Sequence, residues 1–359
     1  MMLIRFKQAL NSWFWQLVGQ QGNTVKLIGI EESRPFIGSH DNIFNEDMAR
    51  SWRKGLEGPM DGGCYRIDRL CLIEPSYGYA LVGFNKIARG SVFFPNIRPS
   101  LNTYLKYKLL KKGRERFIDT AVLFDGNLGN NYFHFFTDMF NKLWLLEKYN
   151  IDKATPLIIG RKTFDTRFFQ SLYKDPRVSN HNWVIQEVDE FIKCKTLFFI
   201  KPAPYNLALW GHTLALVQSA RSTAEPHRRI FLTRPAHLDR TVNNMEDLMP
   251  IIEKYGFEPV DPGSLSFEDQ VRLFSESRFL AGVQGSAFTN IAFTHANKAR
   301  VLELNALDRP NGQMYMLAMA FHVEYYDAIL GDKLVNRKFE MSVDVFEAAI
   351  QRLLNVEPA

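Results

Sequence analysis

Several features are scarce in this chain of 359 residues, and each scarcity narrows the class of protein. There are three cysteines, Cys64, Cys71 and Cys194, with no C-x-x-C pair among them. They provide neither a disulfide framework nor a zinc site, so we expect reduced thiols in a cytosolic protein. The chain has no run of about 18 apolar residues, and no transmembrane helix is predicted.

An excess of one charge is also missing. The net charge is only +5, and it is spread along the chain rather than gathered in one block. Nucleic-acid binding usually needs a concentrated basic face, so we expect no nucleic-acid partner. A mild positive charge suits an anionic substrate and an anionic membrane surface equally well.

Residues 1–20 lack the continuous apolar core and small-residue cleavage site of a signal peptide, so a cytoplasmic protein is expected. Their apolar residues recur at helical spacing, and two interpretations stay open. The helix can lie in a membrane interface, giving peripheral contact at the inner face, or pack on its own domain. The residues concerned are Leu3, Phe6, Leu10, Trp13, Phe14 and Leu17, flanked by Arg5 and Lys7.

Apolar strands alternate with helical stripes through most of the chain. Alternating strands and helices imply parallel sheets, so the predicted fold class is α/β. The length favours two domains. We predict an N-terminal domain over residues 1–205 with a β-rich start, and a C-terminal nucleotide-binding domain over residues 206–335. A terminal helical segment is predicted over residues 336–359, and the resemblance described below implies that it can pack back on the first domain.

Three apolar strands of the second half end in polar or small residues. Residues 229–234 (RIFLTR) end in Arg234, residues 279–283 (FLAGV) run into 284–290 (QGSAFTN), and residues 301–304 (VLEL) carry Glu303. Parallel sheets bind ligands at the carboxyl ends of their strands. Arginines beside a Gly/Ser turn that opens a helix suit a phosphate, because free amides and the helix dipole point at it.

Arg234 and Arg240 are the candidate ligands of a diphosphate, since a guanidinium fork matches its oxygens. The alternative is a surface ion pair with Asp239 or Glu246. The turn that begins at Gln284 is neither a P-loop nor a GxGxxG motif, and a helix-packing turn is its alternative interpretation.

His134 and Asp138 are spaced four residues apart on a helix predicted over residues 132–149. The loop before it, residues 125–131, puts the start of this helix at the carboxyl end of a strand. A histidine oriented by a carboxylate is a general base for a hydroxyl near neutral pH. The alternative is a buried histidine bonded to structural neighbours.

Glu303 can accept hydrogen bonds from ribose hydroxyls, as acidic residues do at the ends of strands in dinucleotide folds. The chain has no Asp-x-Asp, the carboxylate pair that would hold a diphosphate through Mg²⁺ or Mn²⁺. We therefore predict no metal cofactor, with arginines and a helix dipole stabilising the leaving group.

Five segments, in order, resemble glycosyltransferase family 61, the capsular polysaccharide biosynthesis type. The likeness covers about residues 118–305, with two departures: Gln284 stands where the family usually has His, and Met245 separates an Asn–Glu pair. The segments are residues 131–146 (NYFHFFTDMFNKLWLL), 230–234 with Arg240, Asn244 and Glu246, 265–270 (LSFEDQ), 282–290 (GVQGSAFTN) and 301–304 (VLEL).

The resemblance implies an inverting, metal-independent glycosyltransferase with two Rossmann-like domains facing a cleft, the GT-B type. A nucleotide-diphosphate sugar, a UDP-sugar foremost, would donate to a hydroxyl of a glycan or lipid-linked glycan in polysaccharide biosynthesis. His134, aided by Asp138, would be the base, with Asn130 and Asn131 on the acceptor side. The implied donor-site residues are Arg234, Arg240, Gln284, Gly285, Ser286, Thr289, Asn290 and Glu303.

Two other functions stay open. One is a non-catalytic glycan- or nucleotide-binding subunit of a polysaccharide assembly complex, favoured by the Gln284 departure. The other is a metal-independent phosphotransferase or nucleotide hydrolase, against which the missing P-loop counts.

Overall fold

The computed structural model describes residues 20–21, 26–31, 62–76, 78–82, 86–88, 107, 109, 113–126, 128–202, 205–235 and 237–355. These residues form two compact units, and the chain passes from the N-terminal to the C-terminal unit between Pro204 and Tyr205. The amphipathic pattern of residues 1–19 lies outside the described residues.

The N-terminal unit is built on one mixed sheet. Its strands are β1 (Gln20–Gln21), β2 (Lys26–Glu31), β3 (Gly62–Ile73), β4 (Ala80–Val82), β5 (Lys86–Ala88), β6 (Arg114–Leu123), β7 (Leu157–Gly160), β8 (Trp183–Gln186) and β9 (Glu190–Lys201). Its helices are α1 (Tyr132–His134), a π-helical turn (Phe135–Met139), a 3₁₀ helix (Phe140–Leu145), α2 (Arg161–Phe164), α3 (Arg167–Leu172) and α4 (Pro176–Ser179).

The order of strands in this sheet is β1-β5-β4-β3-β9-β6-β7-β8, with β2 also paired to β3. Strands β9, β6, β7 and β8 are parallel to one another, whereas β3 pairs antiparallel with β2, β4 and β9. The β-rich start and the following α/β segment therefore share one sheet. Apolar side chains of β3, β4, β6, β7 and β9 form its core.

The C-terminal unit has a five-stranded, wholly parallel sheet and a short two-stranded ladder. Its strands are β10 (Arg228–Leu232), β11 (Thr241–Val242), β12 (Glu258–Val260), β13 (Ser277–Val283), β14 (Arg300–Ala306), β15 (Tyr325–Gly331) and β16 (Lys338–Phe339). Its helices are α5 (Leu207–Leu216), α6 (Met245–Lys254), α7 (Phe267–Ser275), α8 (Gln313–Ala320) and α9 (Val343–Asn355), with 3₁₀ helices at Gln218–Ala220, Pro262–Ser264 and Ser286–Phe293.

The five-stranded sheet has the order β12-β10-β13-β14-β15, and β11 pairs with β16. Numbered along the chain, this is the doubly wound order 2-1-3-4-5. The apolar stripes at residues 245–252 and 267–274 form α6 and α7, and Ser266 caps the second of these helices. The α/β class predicted from the sequence is confirmed for both units.

Helix α9 packs on the C-terminal sheet. Its apolar side chains Phe346, Ala349, Ile350 and Leu353 are buried in one core with side chains of β10, β13, β14 and α6. The helix therefore uses its apolar face within the C-terminal unit. The contact of this helix with the N-terminal domain, which the family resemblance implies, stays a prediction.

Candidate functional site

The order of strands in the C-terminal sheet reverses between β10 and β13. The chain leaves β10 toward β12 on one side and returns to β13 on the other, so the loops after these two strands separate. Ligands of doubly wound sheets bind at this switch point, outside the carboxyl ends of the strands. Arg234 follows β10 and Gln284 follows β13, so the predicted donor residues meet there.

Arg234 joins the two loops at the switch point. Its Nε donates to the backbone oxygen of Asp239 at 2.6 Å, and its Nη1 lies 3.5 Å from the backbone oxygen of Gln284. A Cβ at Gly285 would overlap Arg234 Nη1, so only glycine lets the guanidinium approach this backbone. Burial lowers the pKa of Arg234 and the charge of Arg240 lowers it further, but an arginine stays protonated.

Arg240 is held from two directions. Its Nη1 donates to Oε1 of Gln284, whose side chain is only 3% exposed. Its backbone amide donates to the carbonyl of Arg337 at 2.7 Å, and Arg240 has a positive φ of 64°. Non-glycine residues in such conformations cluster at functional sites, where surrounding contacts hold them. Gln284 thus orients a cation at the position where the family usually has His.

The alternative interpretation, a surface ion pair of these arginines with Asp239 or Glu246, is not seen among the described residues. Asp239 pairs with Arg337 at 2.8 Å. Within the described ranges, neither Asp239 nor Glu246 lies within ion-pair distance of Arg234 or Arg240. Two guanidinium groups therefore lie side by side at the switch point without a paired carboxylate, an arrangement that attracts an anion.

His134 and Asp138 form the second candidate centre, in the N-terminal unit. His134 Nδ1 and Asp138 Oδ2 are 2.7 Å apart, and both side chains are partly buried. The Thr137 hydroxyl lies 2.8 Å from Asp138 Oδ1, which helps to fix the carboxylate. A carboxylate at Nδ1 favours the tautomer with its proton there and a lone pair on Nε2, as a general base requires.

The predicted long helix over residues 132–149 is irregular in the structure. It begins as α1, widens into the π-helical turn, tightens into the 3₁₀ helix and ends at Leu145. The amide of Phe140 donates to the carbonyl of Phe135, five residues back, and the two rings stack at 5.3 Å. Single π-helical turns often occur at functional sites. His134 directly precedes this π-helical turn, and Asp138 lies within it.

One family model matches the part of the chain that carries both centres. The model of the family described as Glycosyltransferase 61 matches residues 132–302, a little under half of the chain. This range contains His134 and Asp138 as well as Arg234, Arg240 and Gln284.

The chain carries a glycosyltransferase family 61 domain.

It is therefore a glycosyltransferase, as the sequence resemblance indicates. No match was found among curated proteins.

The turn after β13 places backbone amides at the glycosyltransferase's candidate donor site. Gly285 precedes a 3₁₀ helix that begins at Ser286 and has no side-chain cap, so its first amides lack partners within the helix. Thr289 and Asn290 are fully buried, and Asn290 Nδ2 donates to Gln270 Oε1 at 3.1 Å. The contacts of Ser286, Thr289 and Asn290 with the donor stay predictions.

Glu303 lies in the middle of β14, because the strand continues to Ala306, and it has no exposed surface. The Tyr326 hydroxyl donates to its Oε2, while its Oε1 has no partner among the described residues. Burial raises the pKa of Glu303 to about 7, and the Tyr326 hydrogen bond and the charge of Arg240 act against this rise. In the structure Glu303 is a buried carboxyl near Arg240, and its contact with ribose stays a prediction.

Asn131 caps the helical segment of the transferase. Its Oδ1 accepts from the amides of Phe133 at 3.1 Å and His134 at 3.4 Å, while Asn130 lies exposed in the preceding turn. The cap oxygen of Asn131 thus positions the backbone of His134. The predicted acceptor contact of these two residues stays a prediction.

Asp125 was not singled out by its sequence pattern, yet it joins the ends of β6 and β7. Its carboxylate accepts from the amides of Gly126 at 2.8 Å and Gly160 at 2.7 Å, and from the Thr163 hydroxyl at 3.0 Å. Burial raises the pKa of Asp125, and these hydrogen bonds oppose the rise. The network fixes the start of the loop that leads to His134.

Lys142 is a second residue that sequence reasoning missed. It is 1% exposed, and its Nζ donates to the backbone oxygens of Phe124 at 2.8 Å and Asp125 at 3.2 Å. Burial lowers the pKa of Lys142 to about 8, opposed by the charges of Asp125 and Asp138. The sequence signal for a buried lysine was its position within the mainly apolar stretch 140–144 (FNKLW). It anchors the helical segment to the end of β6.

Within the described part of the chain, no three His, Cys, Asp or Glu side chains are grouped to hold a metal ion. No helix in that part is long and apolar enough to cross a membrane. A cavity of about 520 Å³ in the C-terminal unit is lined by residues of and around β16, including Lys333 and Lys338. Neither Arg234 nor Arg240 lines it.

Proposed function

We propose that this glycosyltransferase moves a sugar, with inversion and without a metal ion, from a nucleotide-diphosphate sugar to a hydroxyl of a glycan acceptor. A UDP-sugar is the foremost donor, and the acceptor is a glycan or lipid-linked glycan of polysaccharide biosynthesis. The observation that carries the proposal is the pair Arg234 and Arg240, which lie at the switch point of a parallel sheet without an ion-paired carboxylate among the described residues. The GT-B arrangement of two Rossmann-like domains, with the donor mainly on the second, is part of the proposal.

The base in this proposal is His134. The acceptor oxygen forms a bond to the anomeric carbon, the bond from that carbon to the diphosphate breaks, and the hydroxyl proton moves to His134 Nε2. Asp138, 2.7 Å from Nδ1, holds the imidazole and stabilises the imidazolium that forms. Such proton transfer contributes roughly 10²–10⁴-fold to a rate.

The leaving group is the nucleoside diphosphate. Negative charge develops on its bridging oxygen as the bond to the sugar breaks, so donors fixed beforehand stabilise the transition state. Arg234 and Arg240 are such donors, because contacts with Asp239, Gln284 and Arg337 hold them in place. The first amides of the 3₁₀ helix at Ser286 add backbone donors.

A binding screen and one substitution test the proposal. Among UDP, GDP, CMP and their sugars, one nucleoside diphosphate should raise the melting temperature, equally with and without EDTA, because ligands of the folded state stabilise it. His134→Ala should keep this shift but lose release of the nucleoside diphosphate in the presence of glycan acceptors. Near wild-type turnover by His134→Ala would remove His134 as the base.

The same experiments separate the alternatives. A shift abolished by EDTA would contradict metal independence, and release of inorganic phosphate instead of transferred sugar would indicate a phosphotransferase or hydrolase. Gln284 was the reason to consider a non-catalytic subunit, and here it holds Arg240, a binding role. Measurable sugar transfer by the purified protein would exclude that alternative.

We further propose a cytoplasmic enzyme in peripheral contact with the inner face of the membrane through residues 1–20. The support is the sequence pattern of apolar and aromatic residues beside Arg5 and Lys7. Co-sedimentation with anionic liposomes, lost on Trp13→Ser with Phe14→Ser, is the corresponding test.

A further inference from the structure

A third arginine lies near the two at the switch point. Arg309 follows β14, which is the neighbour of β13 on the side away from β10. Arg240 interacts electrostatically with both Arg234 and Arg309. Arg234 and Arg240 thus follow β10 and Arg309 follows β14, the two strands on either side of β13. All three lie at the carboxyl-end edge, where such sheets bind ligands.

The three arginines differ from most others of the C-terminal unit in having no carboxylate partner. Among described residues, no carboxylate lies within ion-pair distance of Arg234, Arg240 or Arg309. Six other described arginines of the unit pair with a carboxylate: Arg228 with Glu258 and Glu276, Arg272 with Asp269, Arg278 and Arg300 with Glu324, Arg337 with Asp239 and Arg352 with Asp327. Arg221 and Arg229 donate instead to the backbone oxygens of Thr294 and Tyr255. The arginines at this edge of the sheet are therefore the ones available to an anion at the ends of the strands.

The backbone that carries Arg309 is fixed although its side chain is exposed. Its amide donates to the carbonyl of Ala306 at 3.1 Å, which closes a turn. The amide of Leu307 donates to the carbonyl of Asp332 at 3.1 Å, and the amide of Leu334 donates to Asp308 Oδ1 at 3.0 Å. The backbone of Arg309 therefore has a defined position, and its long side chain can reach an anion without a rearrangement of the loop.

We propose that Arg309 binds the diphosphate of the donor, together with Arg234 and Arg240, as the third arginine of the site. The inference rests on the proposed function, because it assumes a nucleoside diphosphate as the leaving group. Two linked phosphates present oxygens over a wider span than one phosphate, and they suit three guanidinium forks that come from the loops after β10 and β14. Arg309 lies outside the range that matches the family, so the family comparison does not assign it.

The test compares Arg309→Gln, Arg234→Gln and the wild-type full-length protein by titration calorimetry. The probes are inorganic pyrophosphate and whichever of UDP, GDP and CDP binds the wild type most tightly. Loss of one charge-assisted contact should lower the affinity for both probes about tenfold, and it should make binding less dependent on salt concentration. Arg272→Gln is the matched control, because Arg272 is an exposed arginine of the same unit that pairs with Asp269.

Weakened binding of both probes by Arg309→Gln, with Arg272→Gln equal to wild type, supports the third arginine. If Arg234→Gln weakens binding while Arg309→Gln equals the control, the inference is wrong and the donor site stands. Equal weakening by Arg309→Gln and Arg272→Gln also overturns it, since that shows only net charge. If the wild type binds none of pyrophosphate, UDP, GDP and CDP, the inference and the proposed donor site are both wrong.

Discussion

A single contact, the ion pair between Arg337 and Asp239, decides the interpretation of the two arginines at the switch point. In the sequence, Asp239 is adjacent to Arg240 and five residues from Arg234, so either could have been its partner. Because its carboxylate binds Arg337 instead, both remain unpaired among described residues. An unpaired, partly buried cation is a site for an anion, whereas a paired one is part of the surface.

Glu303 gives a prediction of pH dependence at the scale of one residue. Burial raises its pKa from the usual 4.5 to about 7, so between these pH values the folded protein keeps a proton that the unfolded chain releases. Its contribution to the free energy of unfolding is full below pH 4.5 and is lost as the pH rises through 7. The loss amounts to at most about 3 kcal/mol. Glu303→Gln should lack this dependence.

Urea denaturation of the wild type and Glu303→Gln at pH 5 and pH 8 measures the effect. The stability of the wild type relative to the variant should be greater at pH 5 than at pH 8. Glu258→Gln is the control, because Glu258 is an exposed carboxylate paired with Arg228. An equal difference at both pH values would show that Glu303 is ionised throughout.

Among the elements, the helical segment over residues 132–145 combines stability with the candidate base. Asn131 caps it, the π-helical turn carries Asp138, and Lys142 ties it to the end of β6. A change in the cap should therefore act on both folding and catalysis, because His134 lies in the first turn.

Asn131→Ala should lower the free energy of unfolding by about 1 kcal/mol, because two amides lose their acceptor. The variant should also release the nucleoside diphosphate more slowly during turnover, while the affinity of the variant for that product equals that of the wild type. Asn131→Asp keeps an acceptor oxygen and should restore stability. Denaturation, turnover and calorimetry measure these three quantities.

Thr166→Ala is the matched control, since Thr166 caps α3 through the amide of Phe169. It should lower stability without slowing turnover. Asn131→Asp can restore stability and still have a higher KM for the acceptor than the wild type. That result would indicate that the amide nitrogen of Asn131 contacts the acceptor, as the resemblance implies. Unchanged stability of Asn131→Ala would contradict the capping role.

At the scale of the whole molecule, the two units have separate cores, so we can predict which of them a bound donor protects from hydrogen exchange. Binding of a nucleoside diphosphate alone should slow hydrogen exchange most strongly in the amides that follow β10 and β13. The helical segment over residues 132–145 should change less until an acceptor is added. Exchange measured by mass spectrometry, with and without the nucleotide, shows the pattern. Strongest protection in residues 125–145 would assign the donor to the N-terminal unit.

Much of this architecture was predictable because it is encoded locally. The alternation of strands and helices in the second half depends on neighbouring residues, and it agrees with the structure. The mixed N-terminal sheet was less accessible to prediction. It pairs β3 with β9, more than 120 residues apart at Cys71 and Cys194, and no local pattern specifies a partner at that distance.

The sequence by itself determined the α/β class, the arginine after a strand of the second half, and the spacing that brings His134 to Asp138, because these follow from period and proximity along the chain. Only the tertiary structure decided that Asp239 binds Arg337, that Glu303 is buried against Tyr326, and that the charge of Arg309 acts on Arg240. These relations join residues 23 to 98 positions apart. They form when the parallel strands assemble into one sheet, because that step brings the loops at their carboxyl ends together.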